Sequence, residues 1–260
     1  MTKKTNLTLQ SSHSTIKPER FETACQKALT WSQNAKGIGT LKEKTVHAVL
    51  KHYYEPDEAF HEIKVDSYVA DIMTNHQIIE IQTRHFHTMK QKLDAFLPYY
   101  QVTIVYPVAC TKWIRWINEE TGEISPKRKS PKTGTIYRII PELYRIKDYL
   151  THPNLHFIIC FINVEESRLL NGWSKDKKKG STRNDGIPIA LVDEVHLDSL
   201  MDFNQLLPLD LPTPFTSKDY KQKAKITQKV ASTGLHILHH LGVIQRVGKQ
   251  GHAYLYERVL

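Results

Sequence analysis

At 260 residues, with a formal charge of +9 and a pI near 9.3, the chain suffices for one large domain or two ordinary ones and suits polyanionic partners such as nucleic acid or an anionic membrane. No apolar run is long enough to span a bilayer, and Met1 to Asn6 lacks the apolar core of a signal peptide. Cys25, Cys110 and Cys160 are odd in number and widely separated, which argues against a disulfide or zinc framework and for a reduced, cytoplasmic protein.

Residues 1 to about 18 are polar and rich in Ser, Thr and Lys, so a loose N-terminal tail is expected. A helix is predicted after Pro18, running to about Trp31 and packing Phe21, Ala24 and Leu29. Gly37-Ile-Gly39 breaks the chain before a second helix from about Thr40 to Tyr53. On that helix Glu43, His47 and Lys51 recur every four residues as one polar line, with Val46, Val49, Leu50 and Tyr53 alongside. Thr40-Leu-Lys-Glu43 also has the form of a capping box, which gives Glu43 a purely local role as an alternative.

Ser67 to Gln82 holds two short apolar strands joined by a tight polar turn, each with an acid inside its apolar run. Side chains alternate along a strand, so Glu80 and Gln82 point one way and Ile79 and Ile81 the other. If Asn75 and His76 form a two-residue turn, Asp71 stands opposite Glu80, at a cross-strand spacing of about 5 Å. Two carboxylates that close repel unless a cation lies between them, and oxygen ligands suit magnesium or manganese. The plain alternative is a solvated hairpin face, but aspartate is a poor strand residue, and a local violation of that kind points to function. A helix is predicted from about His85 to Leu97, with Phe86, Met89, Leu93 and Phe96 at helical spacing and Lys90 and Lys92 flanking them, followed by a strand from Gln101 to Val108.

This stretch resembles the active-site hairpin of the PD-(D/E)XK nucleases, the restriction-endonuclease-like superfamily, whose pattern is an acid, a gap, then an acid, any residue and usually lysine. Here it runs Asp71, a gap, and Glu80-Ile81-Gln82. The flanking helices and strand match the superfamily order αβββαβ, with His61 to Val65 as first strand. The resemblance implies an α/β fold, a restriction-endonuclease-like core with a central mixed sheet. It also implies one or two Mg2+ (or Mn2+) ions held by Asp71, Glu80, the Ile81 carbonyl and Glu43. Gln82 stands where lysine is usual, so the resemblance leaves the water-positioning role to Gln82, Lys90 or Lys92.

Past the core, Lys112 to Asn118 and Gly122 to Ser125 are expected to form an inserted hairpin within 111–138, turning at Glu120-Thr-Gly122. Trp113 and Trp116 either pack that hairpin or track nucleic acid, and the basic loop of Lys127, Arg128, Lys129 and Lys132 is the better phosphate candidate. A helix from Glu142 to Leu150 and a buried strand from Asn154 to Val164 close a first domain, placed at 19–170. Residues 171–190 follow as a basic linker, in which Lys177, Lys178 and Lys179 belong either to a solvated loop or to a DNA contact.

The segment 191–260 is expected to be a second domain. Thr216 and Asp219 cap a short helix, Thr227 opens a longer one stopped by Gly242, and Val243 to Tyr256 makes a strand, a glycine turn and a strand. Val230, Leu235, Leu238 and Leu241 mark the buried side of the longer helix, leaving Gln228, Lys229, Ser232, Thr233 and His236 outside. Helix, turn, longer helix and hairpin resemble a winged helix-turn-helix, which implies DNA contact by those outer residues and, on the wing, by Arg246, Lys249 and His252.

The whole chain resembles uncharacterised prokaryotic proteins that join these two modules. The expected function is that of a Mg-dependent endonuclease, hydrolysing phosphodiester bonds of DNA under the guidance of a winged helix. The alternatives are a catalytically degenerate DNA-binding protein, or a transcriptional regulator that binds a palindromic operator as a homodimer. Expected partners are therefore DNA, no membrane, and in the regulator case a second copy of the chain.

Overall fold

A computed structural model of the chain describes residues 16–34, 44–118, 120–170 and 182–259. Of the expected tail and linker, residues 1–15 and 171–181 lie outside the described residues. The architecture is mixed α/β, built on one large mixed sheet. Strands β1 (His61–Val65), β2 (Tyr68–Thr74) and β3 (Gln77–Ile81) form an antiparallel meander. β4 (Gln101–Ile117) runs parallel to β3, and β6 (Leu155–Leu169) runs parallel to β4. β7 (Thr182–Leu197) pairs antiparallel with β6, and β5 (Arg128–Lys129) pairs with the distal half of β4. The spatial order is β1-β2-β3-β4-β6-β7.

Parallel neighbours need crossovers over a sheet face, and the sequence supplies them. The helix α3 (Lys90–Phe96) lies between β3 and β4, and α4 (Ile140–Arg145) between β4 and β6. Central parallel strands are covered on both faces, which explains the run Val102–Tyr106, apolar but for Thr103, and the unbroken apolar run Phe157–Ile162, both buried. On one face α1 (Pro18–Asn34) and α2 (Lys44–Tyr54) pack Phe21, Ala24, Ala28, Val49 and Leu50 against Ile81, Val105, Ile158 and Ile162. On the other, Leu93 and Phe96 of α3 and Leu143 of α4 cover Ile104, Phe157 and Ile159. Leu29, expected in the core, is only half-buried, and Ala28 takes its place.

The C-terminal elements are α5 (Ser217–Ala224), α6 (Gln228–His240), β8 (Ile244–Gln250) and β9 (Ala253–Arg258). Thr216 and Asp219 cap α5 reciprocally, the Thr216 hydroxyl donating to Asp219 Oδ2 at 2.7 Å and the Asp219 amide to Thr216 Oγ1 at 3.3 Å. Thr227 caps α6, and Gly242, with φ of 72°, ends it. Ala231, Leu235, Ile237 and Leu238 are buried, whereas Val230 is only partly so. These residues share one apolar cluster with Ile139, Ile140 and Leu143, so the C-terminal elements pack onto the α4 face of the sheet.

Three expected boundaries change. β4 and β6 are 17 and 15 residues long, not confined to 101–108 and 154–164. The first arm of the expected 111–138 insertion is thus β4 itself, its pairing running on from Thr111↔Asn163 to Ile117↔Leu169. The second arm is slight: an Ile117↔Ile124 bridge and the two residues of β5. In the third, the expected linker 171–190 gives way from Thr182 to β7, which extends past residue 191 to Leu197 and belongs to the main sheet. The Gly, Asn and Asp of this stretch read as loop residues, but β6 offers a partner edge that supplies the hydrogen bonds.

Candidate active site

The β2–β3 hairpin turns at Asn75-His76, with Asn75 at φ of 38°, and its ladder runs Thr74↔Gln77, Met73↔Ile78, Ile72↔Ile79. The next step of that register brings Asp71 beside Glu80. Asp71 Oδ2 accepts from the Ile81 amide at 2.8 Å and meets His47 Nε2 of α2 at 2.9 Å. The Glu80 side chain is 4% exposed, and both its oxygens accept from Lys92 Nζ of α3, at 3.0 and 2.8 Å. A cleft of about 590 Å³ opens over these groups, lined also by Lys51, Glu62, Arg84, His85 and Thr88.

The two acids carry different electrostatic loads. Burial raises the Asp71 pKa, but the His47 hydrogen bond and charge, with the Ile81 amide, outweigh it and leave the group lowered. Glu80 is pushed up to about 7, by burial first and the Asp71 charge second, against the pull of Lys92. One deprotonated and one easily protonated carboxyl at a cleft floor is a common signature of a functional site.

Of the expected site residues, Asp71, Glu80, Ile81, Gln82 and Lys92 come together in this cleft. Glu43 lies outside the described residues. Lys90 is exposed and is not among the residues lining the cleft, so Lys92 is the lysine of this helix that reaches Glu80. Gln82 lines the cleft, but its amide donates to the Arg84 carbonyl at 2.6 Å. Glu62 was missed. It falls between the β1–β2 pairs His61↔Ile72 and Ile63↔Ala70, level with Asp71, and bonds Lys51 Nζ at 2.6 Å. Its φ of 52° lies in the left-handed region, a sparsely populated conformation of the kind that gathers at functional sites. A tight turn at Asp66-Ser67, which the sequence contains, would have implied that register.

The expected nucleic-acid residues fall into separate regions. Lys177, Lys178 and Lys179 lie outside the described residues. Lys127 sits 5.4 Å over the Trp113 ring and 3.7 Å from Glu165, beside exposed Arg128 and Lys129. Trp113 lies roughly 25 Å along β4 from Val105, the partner of Ile81, at 3.3 Å per residue. Gln228, Lys229, Ser232 and His236 are exposed on α6, while Thr233 is half-buried and its hydroxyl donates to the Lys229 carbonyl at 2.8 Å. On the β8–β9 hairpin Arg246 and Lys249 both lie over Tyr254, at 4.1 and 5.2 Å, and His252 is exposed in the turn.

The donor set at the cleft floor fits a hard divalent cation. Asp71, Glu80 and the Ile81 carbonyl are oxygen donors, and magnesium is commonly held by one or two carboxylates. Burial first, and then the charge of Asp71, raise the pKa of Glu80 against the pull of Lys92, so a cation beside both carboxylates would favour the ionised form. Among the described residues no cluster of three His, Cys, Asp or Glu side chains gathers to hold a metal. Among the same residues no helix is long and apolar enough to cross a membrane.

No solved structure matches the chain. A protein of Treponema pallidum (strain Nichols), named only as an uncharacterized protein, is 30% identical over 234 residues, covering 85% of this chain and 87% of that one. The model of the family described as "Domain of unknown function (DUF8091)" matches residues 44–198, which span α2 to β7 and contain the whole cleft. The chain belongs to the DUF8091 family.

Proposed function

We propose that the chain is a metal-dependent nuclease that cuts DNA at the Asp71–Glu80 cleft, built on a restriction-endonuclease-like core with a winged helix-turn-helix at its C-terminus. The observation that carries the reading is the convergence of Asp71, Glu80 and Lys92 from β2, β3 and α3, with Lys92 bonded to both oxygens of Glu80. The element order α2-β1-β2-β3-α3-β4 around them supports the core, and α5-α6-β8-β9 supports the winged helix. Asp71, Glu80 and the Ile81 carbonyl are the groups that would hold magnesium or manganese. Bound there, the ion supplies charge neutralisation at the phosphate and a more acidic water.

The chain's own residues do the rest. His47 and the Ile81 amide fix one oxygen of Asp71 and keep the group ionised. Lys92 shields Glu80 and places a positive charge where the pentavalent phosphate gathers negative charge. Lys51, Arg84 and His85 line the cleft and suit the flanking phosphates of the strand. In the balanced reaction water adds to phosphorus, one P–O ester bond breaks, and the departing oxygen takes a proton.

A second reading draws on the same contacts. With Lys92 already balancing Glu80 and the Gln82 amide bonded to a carbonyl, the cleft is self-sufficient as a non-catalytic DNA-binding surface. Asp71→Asn separates the two. It abolishes metal-dependent cleavage and leaves duplex affinity in EDTA within about twofold if the nuclease reading holds. Duplex binding by the wild type without cutting, under magnesium and under manganese, favours the second.

A further inference from the structure

The cleft and the α6 surface are joined by a run of exposed cationic and aromatic side chains. His85, which lines the cleft, stacks edge-on with His87 at 5.7 Å between ring centroids. Arg145 Nη1 of α4 meets His87 Nδ1 at 3.1 Å, and the Arg145 side chain is 44% exposed. Its neighbour Tyr144, 50% exposed, packs edge-on against His236 of α6 at 5.6 Å. From His236 the exposed residues of α6 continue back through Ser232 to Lys229 and Gln228, a stripe at helical spacing.

The acid within this run is turned inward. Glu142 accepts from the Phe86 amide at 3.0 Å and lies 3.5 Å from Arg145, so its charge pins the loop after β3 to α4. Partial burial, and then the positive charges of Lys147, His240, His239 and Arg246, lower the pKa of His236. Lys147 and Arg246 thus stand close enough to His236 to act on its charge where α6 meets α4 and β8. With the exposed Arg145 they make a cationic surface that suits an anion. The anion must also be extended. α6 alone is roughly 20 Å long, and the crossing to α4 adds about 8–10 Å before the cleft begins.

We propose that His87, Arg145, Tyr144 and His236 form a phosphate-backbone track that carries one nucleic-acid duplex continuously from the cleft to α6. This rests on the nuclease reading of the cleft and adds to it a substrate class: a duplex of about a dozen base pairs or more, engaged along its backbone across both regions.

The test is a fluorescence-anisotropy titration in EDTA between 50 and 200 mM NaCl, with a 24-base-pair DNA duplex and the RNA duplex of the same sequence. Wild type is compared with Arg145→Glu and His236→Glu. The second substitution sits at an exposed position, so it does not depend on the Glu142 pair surviving, and melting curves check that each variant is folded. Each variant is expected to lose about tenfold in affinity, and Arg145→Glu, which removes a permanent positive charge, to flatten the slope of log K against log salt by about 1. Loss on either duplex upholds the track, and the tighter of the two identifies the substrate. Unchanged affinity and slope in both folded variants, while the wild type binds and cuts, overturns the track and leaves the nuclease reading standing. A wild type that binds neither duplex overturns both.

Discussion

Glu80 is the residue on which the site's chemistry turns. Its carboxyl, ordinarily near 4.5, is pushed up to about 7 in the fold by burial and then by the Asp71 charge, so between these values the folded state holds the extra proton. A raised carboxyl pKa contributes stability at low pH that is lost as pH rises through the folded value. Glu80→Gln mimics the protonated form and is therefore expected to melt above wild type at pH 8, by roughly 2–4 °C for about 1 kcal/mol, with the difference shrinking at pH 5. A Glu80→Gln that melts below wild type at pH 8 would show that the Lys92 pair dominates. Lys92 and Lys90 stand two residues apart but in different surroundings: the first is bonded to Glu80 and the second is exposed. Lys92→Ala is expected to lower the cleavage rate by 10²-fold or more, and Lys90→Ala by less than threefold, read from initial rates on plasmid.

At the scale of elements, the site rests on register. A two-residue turn at Asn75-His76 brings Asp71 and Glu80 side by side, and that polar pair between two short apolar runs is turn signal enough for the pairing to be read from the amino acids alone. The capped helices α5 and α6 were equally readable, because Thr216, Asp219, Thr227 and Gly242 are local signals. Lys92 was readable only as one of two candidates, because the choice depends on how α3 is rotated against β3. Glu62 escaped because its place beside Asp71 depends on pairing β1 with β2 through the Asp66-Ser67 turn, and nothing in a single strand marks its left-handed φ of 52°. The length of β4 escaped because Lys112 to Ile117 interleaves cations with large apolar residues and a turn signal follows at Glu120-Thr-Gly122, as in a local hairpin, while its partner in β6 is remote in sequence. A register shift between Ala109 and Thr111 of β4 is met by Gly134, whose amide donates to the Ala109 carbonyl at 3.0 Å. A Cβ there would lie 2.4 Å from that oxygen and 2.6 Å from Val108 Cγ1. Gly134→Ala is expected to cost about 2–3 kcal/mol, read from urea unfolding. A loss under 0.5 kcal/mol would mean that the 130–135 segment gives way easily.

At the scale of the molecule, acids such as Asp71, Glu80, Glu142 and Glu165 are each paired with a basic side chain within the fold. The shared apolar cluster of Ile140, Leu143, Tyr220 and Leu235 holds α6 against α4, and α4 is tied to the loop after β3 by Glu142. The exposed surface from His87 through Arg145 to α6 is thus oriented toward the cleft by the fold itself. The most direct test is a magnesium titration of supercoiled plasmid with wild type and Asp71→Asn in parallel, reversed with EDTA. The account predicts nicked or linear DNA that grows with magnesium, stops on chelation and is absent in the variant. Equal cutting by Asp71→Asn, or intact plasmid at every magnesium and manganese concentration, would contradict it.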